Sequence, residues 1–276
     1  MPTARAPWGG RVGWSTPTPG GDRVTGYLDR VPDPRDRCRL FCFHHAGAGA
    51  STFAGWAQAL GPRIAVYPVQ LPGREGRVAE PAFTDFGRLV DGVAAALAPW
   101  LTGRYALYGH SMGAALAAAL ARRQVLRGQP PIALLVAAYP DPRTGPPLSV
   151  AGLDDGEVIE LLVRTGGMSE VLRRYPEWAG AAVRLLRADL AALHTQGPAP
   201  DHPLPIPIRA YAGSADPLVH APAVAGWAGH TTSSFRLRTL PGGHLFHLES
   251  GAALRADIGA ALGALGAERS SAPGSG

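Results

Sequence analysis

Lysine and asparagine are absent from all 276 residues, and cysteine occurs only twice. Without lysine the chain cannot build a phosphate-binding loop of the GxxxxGK[ST] type, whose lysine reaches the phosphates. Cys38 and Cys42 lie four apart in a segment that reads as a strand. At ~3.3 Å per residue they would sit roughly 13 Å apart, beyond the reach of a disulfide, so both are expected to be free thiols. No apolar run approaches the roughly 18 residues of a membrane span, and no charged stretch followed by an apolar one opens the chain. Secretion and membrane spanning therefore lose support, and a cytoplasmic protein is expected. Charge of one sign is carried by one residue type, since all 26 basic residues are arginine against 21 acidic ones, a formal net charge of +5. That excess would suit an acidic protein, a nucleic acid or an anionic membrane. The arginines are scattered and carry no nucleic-acid recognition motif, so neither nucleic acid nor membrane is expected as a partner.

What remains is globular in character, with 46% hydrophobic and 17% charged residues. The length suits one core with an insertion better than two equal domains. Residues 1–36 are rich in Pro, Gly and Arg and read as a flexible extension, with one edge strand around Val24 to Leu28. A domain over 37–266 and a flexible tail over 267–276 follow. Within the domain, short apolar runs alternate with helical patterns: Leu40 to Phe43, Ile64 to Val69, Tyr105 to Tyr108, Ala133 to Ala138, Ile208 to Ala212, and Phe235 to Leu240. That rhythm predicts an α/β architecture, a mostly parallel sheet with helices on both faces. Between the fourth and fifth runs, residues 145–200 hold no strand signal but helical patterns over Leu153 to Arg164 and Trp178 to Leu193. An insert this long predicts a helical lid.

Gly109-His110-Ser111-Met112-Gly113 follows the Tyr105 run and opens an Ala-rich helix. That helix carries Met112, Leu116 and Leu120 on one face, loads Arg122, Arg123 and Arg127 into its last turns, and is stopped by Gly128 and Pro130. Strand, tight turn and helix are the setting of a nucleophile elbow in an α/β-hydrolase fold, with Ser111 exposed at the turn. A serine needs an imidazole as base and a carboxylate to orient it. His244 follows Pro241-Gly242-Gly243 at the carboxyl end of the last strand, the edge where such sheets place their sites. His247, three residues on, competes, whereas His220 and His230 are expected at the surface. For the acid, Asp216 follows the fifth run and Asp141 the fourth, and either keeps the chain order serine, acid, histidine. Two backbone donors must receive an oxyanion. The amide of Met112 is one, and the loop His44 to Gly49 offers the other, with Ala46 preferred. The adjacent His44 and His45 lack the carboxylate or cysteine that would complete a metal site, and neither metal nor cofactor is expected.

Taken together, these motifs resemble those of the type II thioesterases, the stand-alone editing enzymes of polyketide and nonribosomal peptide assembly lines. The resemblance runs from about Leu40 to Leu248. It rests on His45-Ala46-Gly47 with Trp56, Leu71-Pro72-Gly73-Arg74-Glu75, Gly109 to Ala114, Asp216-Pro217, and Phe235 to Arg238 leading to Gly242-Gly243-His244. It implies a triad of Ser111, Asp216 and His244, and an oxyanion hole from the amides of Ala46 and Met112. Arg74 and Glu75 are expected to be structural. The implied substrate is an acyl thioester on the phosphopantetheine arm of an acyl or peptidyl carrier protein, with the lid above it. His44 stands where that family usually has proline, and Leu193-His194-Thr195-Gln196 departs from its usual acidic and aromatic residues, which bears on substrate preference. A general carboxylesterase would share every one of these catalytic residues, and a catalytically dead module that senses acyl carriers is a third reading.

Overall fold

The computed structural model describes residues 26–199 and 201–270. Its frame is a six-stranded sheet of β1 (Arg39–Phe43), β2 (Ala65–Pro68), β3 (Tyr105–His110), β4 (Leu134–Ala137), β5 (Ile208–Gly213) and β6 (Phe235–Leu240), in the order β2-β1-β3-β4-β5-β6. Every neighbouring pair is parallel. The inner parallel strands are covered on both faces and read as near-continuous apolar runs, whereas edge strand β6 has only Leu240 buried; each strand falls within two residues of its sequence-predicted bounds. Alternate side chains feed two cores. Phe41, Phe43, Leu107 and Val136 face one, while Leu40, Cys42, Ala106, Tyr108 and Leu135 face the other. Cys38 and Cys42 are buried free thiols.

The helices are α1 (Trp56–Leu60), α2 (Phe86–Leu97), α3 (Met112–Leu126), α4 (Asp155–Arg164), α5 (Pro176–His194), α6 (Ala221–Ala225), α7 (Phe246–Glu249) and α8 (Gly251–Ser270). α3 ends as its residues predict, with Gly128 left-handed at φ +71°. α4 begins at a reciprocal cap. The Asp154 carboxylate accepts from the Glu157 N–H while the Glu157 carboxylate accepts from the Asp154 N–H, satisfying two donors that a helix start leaves unpaired. α4 and α5 fill the predicted insert between β4 and β5.

The chain before β1 departs from expectation. Gly26 and Tyr27 form a turn instead of an edge strand, and Leu28 is not in a strand. The rest of that predicted strand, and residues 1–25 of the extension, lie outside the described residues. Residues 26–36 are tied down: Leu28 enters the core, Arg30 donates to the Val66 carbonyl, and the Asp33 N–H donates to the Tyr67 hydroxyl. At the other end α8 continues through Ser270, past the expected start of the tail; residues 271–276 lie outside the description.

The sheet order reverses its direction of growth between β1 and β3, since β1 connects to β2 on one side and β3 to β4 on the other. Carboxyl ends of strands at such a switch point form a crevice. The loops after β1 and β3 both open into it.

Candidate active site

Ser111 is the residue between β3 and α3, held at φ +53° and ψ −120°. A non-glycine residue in that region is strained, and the strain is fixed by hydrogen bonds on both sides. The Ser111 N–H donates to the Ala137 carbonyl at 2.8 Å, and the Ala114 N–H donates to the Ser111 carbonyl at 2.8 Å. Gly109 is required by close approach: a Cβ there would lie 2.0 Å from the Gly113 carbonyl oxygen. The elbow thus presents its hydroxyl above the sheet edge.

His244 reaches it from the loop after β6, with Nε2 3.0 Å from Ser111 Oγ. Its Nδ1 lies 2.9 Å from Oδ2 of Asp216. Asp216 is 2% exposed, and its other oxygen accepts from the N–H groups of Leu218 and Val219 at 2.8 and 3.0 Å. Two backbone donors leave this carboxylate little rotational choice. β5 and the His244 loop meet so closely that a Cβ on Gly213 would lie 2.4 Å from the Gly243 carbonyl oxygen. The Glu249 carboxylate fastens the same loop by accepting from the Gly243 N–H at 3.0 Å.

The competing residues go elsewhere. Asp141 accepts from His230 Nε2 at 2.7 Å and from Arg143 at 2.6 Å. Burial pushes its carboxyl up, but the hydrogen bonds from Arg143 and His230 outweigh this and hold it well below the usual carboxylate range. His230, expected at the surface, is buried against Trp227, because its ring completes the Asp141 site; His220 is exposed as expected. His247 lies in α7, buried, and both its ring nitrogens lack a protein hydrogen-bond partner among the described residues.

Around Ser111 the insert closes a cavity of about 40 Å³. Leu161 and Leu162 of α4 and Leu186, Leu190 and Leu193 of α5 form its roof, with His45, Ala46 and His244 at its base. No Asp, Glu or Arg lines it. Met112 is the first residue of α3, so its N–H belongs to the group without an intrahelical acceptor. Ala46, after β1, lines the same cavity, and its N–H has no protein acceptor among the described residues.

Sequence reasoning missed His110, which lies in the interior with Nε2 2.7 Å from the His244 carbonyl oxygen. It joins the end of β3 to the loop that carries His244, across the space of two intervening strands. The Tyr108 hydroxyl lies 3.3 Å from its Nδ1, which fits a tautomer carrying its proton on Nε2. Sequence reasoning also missed Asp189, a buried acid within α5.

The family model for the thioesterase domain matches residues 38–260. The chain belongs to the thioesterase family. It is 36% identical over 217 residues to thioesterase PikA5 of Streptomyces venezuelae, covering 78% of this chain and 77% of that one. Among solved structures it is similar to RedJ, a thioesterase from the prodiginine biosynthetic pathway of Streptomyces coelicolor. That likeness has a TM-score of 0.77 at 36% identity and covers 84% of this chain and 90% of the other. BorB, the type II thioesterase of the borrelidin biosynthetic cluster, superposes with a TM-score of 0.78 at 34% identity, covering 88% and 99%. The matched span of the thioesterase model takes in Ala46, Ser111, Asp216 and His244. No helix among the described residues of this thioesterase is long and apolar enough to cross a membrane, and none of their His, Cys, Asp and Glu clusters could hold a metal ion.

Three buried histidines beside the site are expected to make this thioesterase sensitive to acid. His44, His110 and His247 are each at most 2% exposed. Burial, helped by Arg74, pushes His44 down to about 3; burial, helped by His244, pushes His247 down to about 3. Burial first, then His247, His244 and His45, pushes His110 well below its ordinary value. The folded protein therefore binds fewer protons than the unfolded chain below pH 6.5, and stability is lost as pH falls from about 6.5 toward 3. Three such groups give a slope of about 4 kcal/mol per pH unit, against a typical total of about 5–15 kcal/mol. We expect the thermal midpoint to fall steeply between pH 6.5 and 5, and His247→Gln to flatten that fall by about one proton. An unchanged midpoint across this range would mean that the rings titrate alike folded and unfolded.

Proposed function

We propose that this thioesterase is a type II editing enzyme of a polyketide or nonribosomal peptide assembly line, hydrolysing acyl thioesters from the phosphopantetheine arm of a carrier protein through Ser111, His244 and Asp216. The observation that carries the reading is the hydrogen-bonded series Ser111–His244–Asp216 at the base of a leucine-roofed cavity, in a chain of this family. His244 Nε2 takes the hydroxyl proton as Ser111 Oγ attacks the thioester carbonyl carbon. The negative charge that develops on the carbonyl oxygen is received by the N–H groups of Ala46 and Met112. When the C–S bond breaks, the His244 proton goes to the departing thiol sulfur, leaving an acyl-serine. Water then attacks the acyl carbon, giving its proton to His244, which returns it to Ser111 as the carboxylic acid leaves. Asp216, fixed by the Leu218 and Val219 amides, keeps the imidazole proton on Nδ1, so that Nε2 is free to accept.

The carrier component is tested separately from the chemistry. An acyl group on its carrier protein is expected to give a higher kcat/KM than the same group on a small thiol, because carrier docking adds contacts remote from the reacting atoms. A formal charge of +5 carried wholly by arginine suits an acidic carrier, so raising the salt should slow only the carrier reaction as screening shortens to about 8 Å at 0.15 M. Measuring kcat/KM for one acyl group on both thiols across a salt series decides the matter. Equal values with equal salt responses would favour a general esterase.

A further inference from the structure

The oxyanion loop after β1 is gripped from two sides. From the loop that follows β2, the Gln70 side-chain oxygen accepts from the Ala50 N–H at 3.1 Å, and the Glu75 carboxylate accepts from the Ser51 hydroxyl at 2.5 Å. From the roof, Oδ2 of Asp189 accepts from the Gly47 N–H at 2.8 Å. Asp189 lies in mid-helix on α5, on the stripe of Leu186, Leu190 and Leu193 that roofs the cavity. It is 3% exposed, and Arg74, 4% exposed, meets it as a fork: Nη1 to Oδ2 at 2.8 Å and Nη2 to Oδ1 at 2.7 Å. Arg74 is itself fixed by donating to the Pro72 carbonyl at 3.0 Å and to the Ala48 carbonyl at 3.3 Å.

We propose that Asp189, charge-balanced by Arg74, is a positioning residue for the oxyanion hole, holding the Ala46–Gly47 peptide so that the Ala46 N–H faces the carbonyl oxygen on Ser111. A buried ion pair is weak evidence for stability, since apolar residues of similar volume often serve as well. This pair does what leucines could not, because it supplies an acceptor to one particular backbone N–H next to the donor that the reaction uses. Gly47 is left-handed at φ +77°, so the peptide on its N-terminal side is not locked by strand or helix geometry and needs an outside partner. Arg74 has a second task. A carboxylate left unneutralised this close to the developing oxyanion would oppose it in a medium of low polarity. The arrangement also makes α5 part of the catalytic frame, because the oxyanion loop is complete only when this helix is docked.

The inference rests on the serine-hydrolase reading of the site. Hydrolysis of p-nitrophenyl acetate requires the oxyanion hole but no carrier, so assaying both that ester and a carrier-bound acyl thioester lets the two proposals fail separately. The variants are Asp189→Asn, which keeps an oxygen for Gly47, Asp189→Leu, and the double Arg74→Leu with Asp189→Leu, which strands no buried charge. The double variant is expected to melt closer to the wild type than Asp189→Leu does. Its kcat should nevertheless remain down by about 10²-fold, on the scale of losing one oxyanion donor. KM should stay within about twofold, as for an interaction made in the transition state alone. Asp189→Asn should recover at least about tenfold of the lost kcat. Recovery of kcat together with the melting temperature in the double variant would reduce the pair to a structural one, and a raised KM with intact kcat would make it a wall of the acyl cavity. If the double variant does not fold, Asp189→Asn and Asp189→Leu lose the same charge and still differ in the acceptor, and equal kcat values for those two would overturn the proposal.

Discussion

Ser111→Ala is expected to lower acyl-thioester turnover by about 10⁴- to 10⁶-fold, and His244→Ala to do the same, while the protein remains folded. The two side chains meet at 3.0 Å, and in the proposed mechanism neither has a use without the other. A serine without its base is a poor nucleophile at neutral pH, and a base without the serine has no proton to take. Their losses should therefore not add, and the double variant should be about as slow as either single one. The activity that remains would come from the cavity and from the N–H groups of Ala46 and Met112. Folding should tolerate both changes. Alanine removes from Ser111 only a hydroxyl, and the elbow is held by the backbone bonds to Ala137 and Ala114. The measurement is single-turnover hydrolysis of one carrier-bound acyl group by each variant and by the pair, alongside a melting curve. Appreciable turnover by purified Ser111→Ala would reject this serine as the nucleophile, and multiplying losses in the double variant would mean that the two do not act as a unit.

How much of this was legible in the sequence depends on the range of the interaction. Strands buried on both faces announce themselves locally, so the run Leu40 to Phe43 became β1, one residue longer at its start. The elbow is legible in part for a similar reason, since Gly109 is demanded by Gly113 and Ala114 within five residues, whereas Gly113 is demanded by the distant Phe43 carbonyl, whose oxygen would lie 2.1 Å from a Cβ there. The apolar pattern begins at Leu153, two residues before α4, because the helix itself begins after the Asp154 cap. Contacts between distant segments left no such mark. His230 looks like any histidine in a polar stretch, and only folding brings it to Asp141, 89 residues away. Leu28 lies in a Pro- and Gly-rich stretch with little periodicity, yet it packs into the core. Asp189 did leave a trace. Residues 186, 189, 190 and 193 share one helix face, so it is an acid on an otherwise apolar stripe. Its partner Arg74 lies 115 residues away in sequence, and no local pattern could pair them.

The choice between the two strand-end acids yields the second large effect. Asp216→Asn is expected to lower turnover by about 10³- to 10⁴-fold, because an amide offered to Nδ1 favours the imidazole tautomer that carries its proton on the wrong nitrogen. The amide oxygen could keep the bond to Nδ1 only by turning its NH₂ toward the N–H groups of Leu218 and Val219, which now bond to the carboxylate. Donor would then face donor, so the reverse orientation wins and His244 is turned into a donor toward Ser111. Asp141→Asn has no such route to the site. Its carboxylate meets His230 and Arg143, and the expected result is a loss of stability with turnover by the folded fraction changed by less than about tenfold. Rates are compared per folded molecule, with His230→Gln as a control that breaks the same contact from the other side. If Asp141→Asn carried the larger kinetic loss, the acid would have to be reassigned, and His244 would be oriented by a conformation other than the one described here.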